Sequence, residues 1–327
     1  VIERLDIKQS VYEKIDAVRK SGSVVSSNTS TLPLATLLDG MGDAFKRDFM
    51  IAHFFNPPRH MRLLEVVPSP QMSDATYQRI CTIGDEVLGK EIVHCKDTPG
   101  FIANRIGIYW MTHAMNVALE QQIAVEDADA VLSKPLGIPK TGVFGLYDLI
   151  GLDLMPLIAD AMLATLPKSD AFFTLEPKPS RLAHMIESGH TGRKGKGGFY
   201  KLEKREGQKT KLTIEIKTGE YRPAQKTTLQ SAASKDIATL LTAQDRGGEY
   251  ARAVMLPFFH YVLTHAEAIA NDIHSIDIAM QTGYNWTFGP FELMDQMGVT
   301  ALCDALEAHH LPIPALLKAA QLKGGFY

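Results

Sequence analysis

His53 and Glu65 are the residues whose types and spacing best suit proton-transfer chemistry. A histidine takes up and returns protons near neutral pH, and a carboxylate beside it fixes its tautomer. Both lie within Met50-Ile-Ala-His53-Phe-Phe-Asn56-Pro-Pro-Arg-His-Met-Arg-Leu-Leu-Glu65-Val-Val67. Met50 to Phe55 is an apolar, aromatic-rich run. Asn56-Pro57-Pro58-Arg59-His60 carries turn chemistry, and Leu63 to Val67 is a second strand-like run. A hairpin centred near Arg59 sets His53 opposite Glu65 on one face. Taken alone, the pair reads more simply as a half-buried strand histidine beside a salt-bridging glutamate.

The surrounding elements must position that hairpin. Apolar residues Leu5, Ile7, Val11, Tyr12, Ile15 and Val18 make a helical stripe, and Val1-Ile2 resembles the tail of a strand. Gly22 ends the helix, Val24 to Ser27 is a short strand, and Asn28-Thr29-Ser30-Thr31 follows at its end. A helix is expected from Pro33 to Asp39 and another from Ser73 to Leu88, with Ser73 or Asp74 as N-cap; Ile92 to Cys95 is a strand. Alternating helix and strand points to an α/β sheet, but this length supplies only half of a doubly wound one. Two glycine clusters, Gly40-Met-Gly42 and Gly195-Lys-Gly197-Gly198, fail as nucleotide fingerprints: neither has the third glycine in place after a strand.

Beyond Thr98-Pro99-Gly100 the pattern turns helical. Helices are expected from there to Gln121, over Val125 to Leu132, over Asp153 to Leu166 with Asp153 as N-cap, and over Arg252 to Ala270. Arg193 to Lys217 is rich in Gly and Lys and holds one possible hairpin, Lys211 to Ile216 with Tyr221. It reads as a solvated loop, with contact to substrate phosphates as the alternative. An internal repeat then emerges: Gly289-Pro-Phe-Glu292-Leu-Met-Asp295 echoes Gly145-Leu-Tyr-Asp148, and Lys323-Gly-Gly-Phe-Tyr327 echoes Lys196-Gly-Gly-Phe-Tyr200. Residues 99–202 and 245–327 thus look like two copies of one helical domain, joined by a linker or insertion at 203–244. The second copy has no counterpart of Asp97-Thr98-Pro99-Gly100 or Asn104, so it reads as a structural partner.

Composition excludes several classes. Of 327 residues 45% are apolar and 22% charged, and the formal net charge is −3, so no global basic field calls for nucleic acid or anionic membrane. Cys81, Cys95 and Cys303 lack metal-ligand or disulfide-framework spacing, which fits a reducing compartment and no metal site. No apolar run reaches the roughly 20 residues of a membrane span.

Four motifs in fixed order carry a resemblance: Ser27-Asn28-Thr29-Ser30, His53-Phe-Phe-Asn56-Pro57, Leu64-Glu65-Val66-Val67 and Asp97-Thr98-Pro99-Gly100-Phe101-Ile102-Ala103-Asn104-Arg105. Together they resemble the NAD-dependent 3-hydroxyacyl-CoA dehydrogenases of fatty-acid β-oxidation. The duplicated helical region is similar to the multifunctional members of that family. The resemblance implies a fold of α/β plus all-α class. Residues 1–98 would be the C-terminal half of a Rossmann-like dinucleotide-binding domain, N-terminally truncated, with two related helical domains after it. It implies a catalytic dyad at His53 and Glu65, substrate contacts at Ser30 and Asn104, and NAD contacts at Glu3, Lys8 and Asn28. Asn104 would then lie on the helical domain and the others on the sheet domain. The implied reaction is oxidation of (3S)-3-hydroxyacyl-CoA to 3-oxoacyl-CoA with NAD as hydride acceptor. The implied partners are the acyl-CoA substrate, an enoyl-CoA hydratase domain fused or associated, and a second copy in a homodimer. Bacterial cytoplasm is the expected location, with a mitochondrial or peroxisomal matrix as alternatives. Without the glycine loop this chain by itself is expected to be inactive. The alternative is a non-catalytic structural, dimerisation or CoA-binding module.

Overall fold

The computed structural model describes residues 3–205 and 208–327, so the expected strand tail at Val1-Ile2 lies outside the described residues. The chain forms two compact units: residues 1–105 with 265–284, and residues 106–264 with 285–327.

The first unit is built on a four-stranded sheet, β1 (Val25–Ser27), β2 (Phe49–Phe54), β3 (Leu63–Pro68) and β4 (Glu91–His94), in sequential order. β1 and β2 are parallel, β2 and β3 antiparallel, β3 and β4 parallel. The expected hairpin forms in the expected register, with His53 paired to Glu65. Its period-two alternation divides the sheet. Met50, Ala52, Leu64 and Val66 make one apolar face, which packs on Tyr77, Ile80 and Cys81. His53 and Glu65 therefore face the opposite side.

Four helices precede or flank the sheet: α1 (Leu5–Val18), α2 (Leu34–Leu37), α3 (Asp43–Arg47) and α4 (Asp74–Thr82). Tyr12 anchors α1, its ring 5.2 Å from that of Phe49 and its hydroxyl donating to Ser27 Oγ at 2.8 Å. Ser73 caps α4 by accepting from Thr76 N–H at 3.2 Å, and the winding changes to a π-helical turn over Ile83–Val87. A helix from far along the chain, α12 (Ile273–Gly283), belongs to this unit and lies against β3 and β4. Gly283 permits the approach, since a Cβ there would meet Leu63 Cδ2 at 2.6 Å.

The second unit is mainly helical. It contains α5 (Ala103–Gln121) from Ile106 onward, α6 (Val125–Val131), α7 (Phe144–Ile150), α8 (Leu154–Thr165), α9 (Ser180–Glu187) and α10 (Ile237–Thr242). It also takes α11 (Arg246–Ile269) up to Thr264, with α13 (Pro290–Met297), α14 (Val299–Ala308) and α15 (Ala315–Lys323). The leading helices of the two sequence copies, α5 and α11, pack together. Tyr109 and Tyr261 stack in parallel at 3.8 Å, and Tyr250 donates to the Ala114 carbonyl at 3.0 Å. Among the described residues no helix is long and apolar enough to cross a membrane.

One local expectation is corrected and one is refined. The Gly- and Lys-rich segment is a three-stranded antiparallel sheet, β5 (Tyr200–Arg205), β6 (Gln208–Ile214) and β7 (Tyr221–Pro223), rather than a loop with one hairpin. Its lysines hide the alternation that a hydropathy reading relies on. Asp153 stands at the N-cap position of α8 but makes no side-chain cap bond, because its own backbone is already helical.

The repeat proves to be structural. Asp148 accepts from the backbone N–H of Phe199 at 2.7 Å and Tyr200 at 2.8 Å. Asp295 accepts from Phe326 N–H at 2.8 Å and Tyr327 N–H at 3.0 Å. Each copy closes the same way: an aspartate late in a short helix clasps a Gly-Gly-Phe-Tyr segment. This sets the register of the repeat, so that Asp148 corresponds to Asp295 and not to Glu292.

Candidate active site

Glu65 joins two elements through its two oxygens. Oε2 lies 2.7 Å from His53 Nδ1, while Oε1 accepts from the backbone N–H of Ala103 at 2.8 Å and Ile102 at 3.1 Å. Those N–H groups open α5, where a helix leaves its first donors unsatisfied and attracts negative charge. His53 is 7% exposed and Glu65 is fully buried. The His53 ring sits between Phe55, with centroids 4.9 Å apart, and Phe101, at 5.7 Å. A carboxylate held by three donors in an apolar setting can orient an imidazole and stabilise it once protonated. With Nδ1 turned to Glu65, Nε2 is the nitrogen left to exchange a proton with a ligand.

The other expected residues gather around the same end of the sheet. Asn28, at the end of β1, accepts from Phe54 N–H at 2.8 Å, next to His53. Ser30 is half-buried, and its carbonyl accepts from Gly100 N–H at 3.0 Å, which ties its loop to the start of α5. Asn104 follows Ala103 in the first turn of α5 and is half-buried. It falls in the same compact unit as His53, Glu65 and Ser30, while the helix it opens runs on into the helical unit. The Glu65 bond to the helix start holds that turn to the sheet.

Glu3 and Lys8 are brought together with that loop. Lys8 Nζ lies 3.0 Å from Glu3 Oε2, and Thr29 and Thr31 both donate to Glu3 Oε1. Burial works against the Glu3 carboxylate, but hydrogen bonds from Thr29 and Lys8 outweigh it and hold its pKa below the ordinary value. The Lys8 side chain is buried against this carboxylate.

Three supporting residues were given no role by the sequence reading. Thr29 is fully buried and orients Glu3. Asp97 accepts from Leu34 N–H with both oxygens, at 3.0 and 3.1 Å, and so fixes the start of α2. Lys90 donates to the carbonyls of Pro58 and Met61, pinning the turn that follows His53.

The residues present fit part of a dinucleotide. Asn28, at the carboxyl end of the parallel strand β1, and Glu3, bonded to the loop that follows it through Thr29 and Thr31, suit a ribose or nicotinamide edge. Gly40 and Gly42 do not suit the pyrophosphate: they open the short helix α3, and no strand leads into them.

Two family models match the chain, the 3-hydroxyacyl-CoA dehydrogenase NAD binding domain over residues 1–98 and the 3-hydroxyacyl-CoA dehydrogenase C-terminal domain over residues 100–202. A Rickettsia prowazekii protein named as the fatty acid oxidation complex trifunctional enzyme is 36% identical over 98% of this chain and 45% of its own length. A Bacillus subtilis protein named as a 3-hydroxyacyl-CoA dehydrogenase is 33% identical over 99% of this chain and 41% of its own length. The chain thus spans less than half the length of these relatives. The crystal structure of 3-hydroxybutyryl-CoA dehydrogenase from Escherichia coli K12 shares the fold, with TM-score 0.72 and 21% identity over 99% of this chain and 80% of that one.

Proposed function

The chain belongs to the 3-hydroxyacyl-CoA dehydrogenase family, and from that premise we propose that it carries the proton-transfer and substrate-binding groups for oxidising (3S)-3-hydroxyacyl-CoA to 3-oxoacyl-CoA. The observation that carries the reading is the buried His53–Glu65 pair, closed by the N-terminus of α5. His53 Nε2 takes the proton of the substrate's 3-hydroxyl, and Glu65 stabilises the imidazolium that forms. Ser30 and Asn104 hold the substrate oxygens, and a displacement of about 1 Å at such contacts can cost about 100-fold in rate. NAD, when bound, accepts the hydride that leaves the same carbon. Glu3, Lys8 and Asn28 position its nicotinamide half, with the Thr29 and Thr31 hydroxyls orienting Glu3.

The multifunctional relatives accord with an enoyl-CoA hydratase domain in the same protein. The chain by itself is expected to bind NAD weakly and turn over little, because no strand-led glycine loop is seen among the described residues. The test follows NADH formation from (3S)- and (3R)-3-hydroxyacyl-CoA with the full-length protein. Reduction of NAD with the (3S) substrate alone is expected. No NADH from either epimer would overturn the reading.

A further inference from the structure

A basic cavity lies wholly within the helical unit. Its volume is about 720 Å³, and it opens between α7 and the segment running from Arg193 into β6. Lys140, Arg193, Lys196, Lys201 and Lys211 line it. Among the described residues none of the five forms an ion pair. The acids at the cavity, Asp129 and Asp148, are both buried and already engaged. Asp148 holds Phe199 and Tyr200 N–H, and Asp129 holds Phe144 and Gly145 N–H and the Tyr200 hydroxyl. Five cations against two carboxylates give the lining a net positive formal charge, with Lys196 Nζ already donating to the Ser188 carbonyl at 3.1 Å.

The cations stand on a fixed frame. Gly192 N–H donates to Gly197 O at 2.8 Å, and Lys196 N–H to Gly189 O at 3.1 Å, so the glycine turn is closed on itself. Lys211 Nζ packs 3.8 Å from the Tyr200 ring centroid, and Lys201 Nζ 4.0 Å from that of Tyr221. A freely solvated basic loop would not hold its charges in this way.

The chain contains its own control. The second copy makes the same aspartate clasp, through Asp295, on Lys323-Gly-Gly-Phe-Tyr327. In the matching register it carries Ala320 for Arg193 and Thr287 for Lys140. The clasp therefore does not need those cations, and their presence in the first copy calls for another reason.

We propose that this cavity binds a small phosphorylated anion, a compound bearing a pyrophosphate or several phosphate esters. Cavities of roughly 300–1,000 Å³ suit ligands of nucleotide size, and clustered Lys and Arg heads suit phosphate oxygens. Free nucleoside diphosphates and the phosphate-bearing end of a coenzyme thioester share this chemistry. The site is separate from the dehydrogenase reading, and loss of activity in a His53 variant says nothing for or against it.

The test is calorimetric titration of the intact chain with inorganic pyrophosphate, ADP, coenzyme A and dephospho-coenzyme A at low and high salt. Pyrophosphate binding is expected. It should weaken with salt and fall at least about tenfold in a Lys140→Met, Lys211→Met double variant, since each lost charge-assisted contact is worth a factor of that order. Coenzyme A binding more tightly than both ADP and dephospho-coenzyme A would assign the coenzyme; equal or tighter ADP would assign a free nucleotide. Lysine acetylation mapped with and without pyrophosphate needs no variant, and protection of Lys140, Lys201 and Lys211 is expected. Absence of binding by all four compounds, unchanged affinity in a folded double variant, or unchanged acetylation would each overturn the proposal.

Discussion

Glu65 has two roles, and they can be separated by substitution. Its Oε2 orients His53, and its Oε1 caps the start of α5. Glu65→Gln keeps the size but puts an amide where the proposed mechanism needs a carboxylate beside the imidazolium. In the full-length protein kcat should fall about 10²–10⁴-fold, the range for general acid–base groups and their partners, with KM changed little; an unchanged kcat would remove Glu65 from the reaction. Glu65→Ala also strands two backbone donors, at about 1–3 kcal/mol each, which a denaturant midpoint would register as lower stability. The pairing of His53 with Glu65 was legible in the sequence because a strand's period of two and a turn at Arg59 fix both register and face. The second role was not legible. It depends on where residue 102 returns in space, and nothing in the local pattern around Glu65 encodes that.

Among the elements, the aspartate clasp is the feature the repeat preserves. Its two copies differ in tolerance. A Cβ at Gly198 would overlap Asp148 Oδ1, whereas one at Gly325 would meet Asp295 Oδ1 at 3.3 Å. Gly198→Ala should therefore lower the melting temperature by several degrees or more, while Gly325→Ala should cost well under half as much; ΔΔG of about 1 kcal/mol moves a melting point by roughly 2–4 °C in domains of about 150–250 residues. Equal effects, read by scanning calorimetry, would mean the clasp is not what constrains these glycines. Nearby, burial pushes Asp129 from 3.8 up to about 7 against the N–H groups of Phe144 and Gly145 and the Tyr200 hydroxyl. The folded chain then holds this proton more tightly than the unfolded chain. The stability it contributes is full below about 4 and is lost as pH rises through about 7. Asp129→Asn should flatten that part of the stability profile, measured by denaturation at a series of pH values. An undiminished slope would assign it to other groups. The repeat was visible as matching glycines and aromatics, yet its register was not, because Gly145 and Gly289 look alike until Asp148 and Asp295 are seen making the same bonds.

For the molecule as a whole, the compact units cut across the sequence copies. Residues 265–284 come from the second copy but complete the first unit, where α12 covers β3 and β4. Cys95 bridges to Ala270, and Lys96 N–H donates to Ile269 O at 3.2 Å. Periodicity identified the helix but could not say which sheet it would cover. The same organisation places Ser30, His53, Glu65 and Asn104 in one unit, so the proposed proton transfer and substrate orientation would draw on a common frame. His53 is the group on which the whole account depends, and its replacement is the most direct test. In the full-length protein, NADH formation from (3S)-3-hydroxyacyl-CoA should show kcat for His53→Gln reduced about 10²–10⁴-fold, with the fold and the thioester affinity retained. A His53→Gln protein that turns over at the unmodified rate would contradict the account.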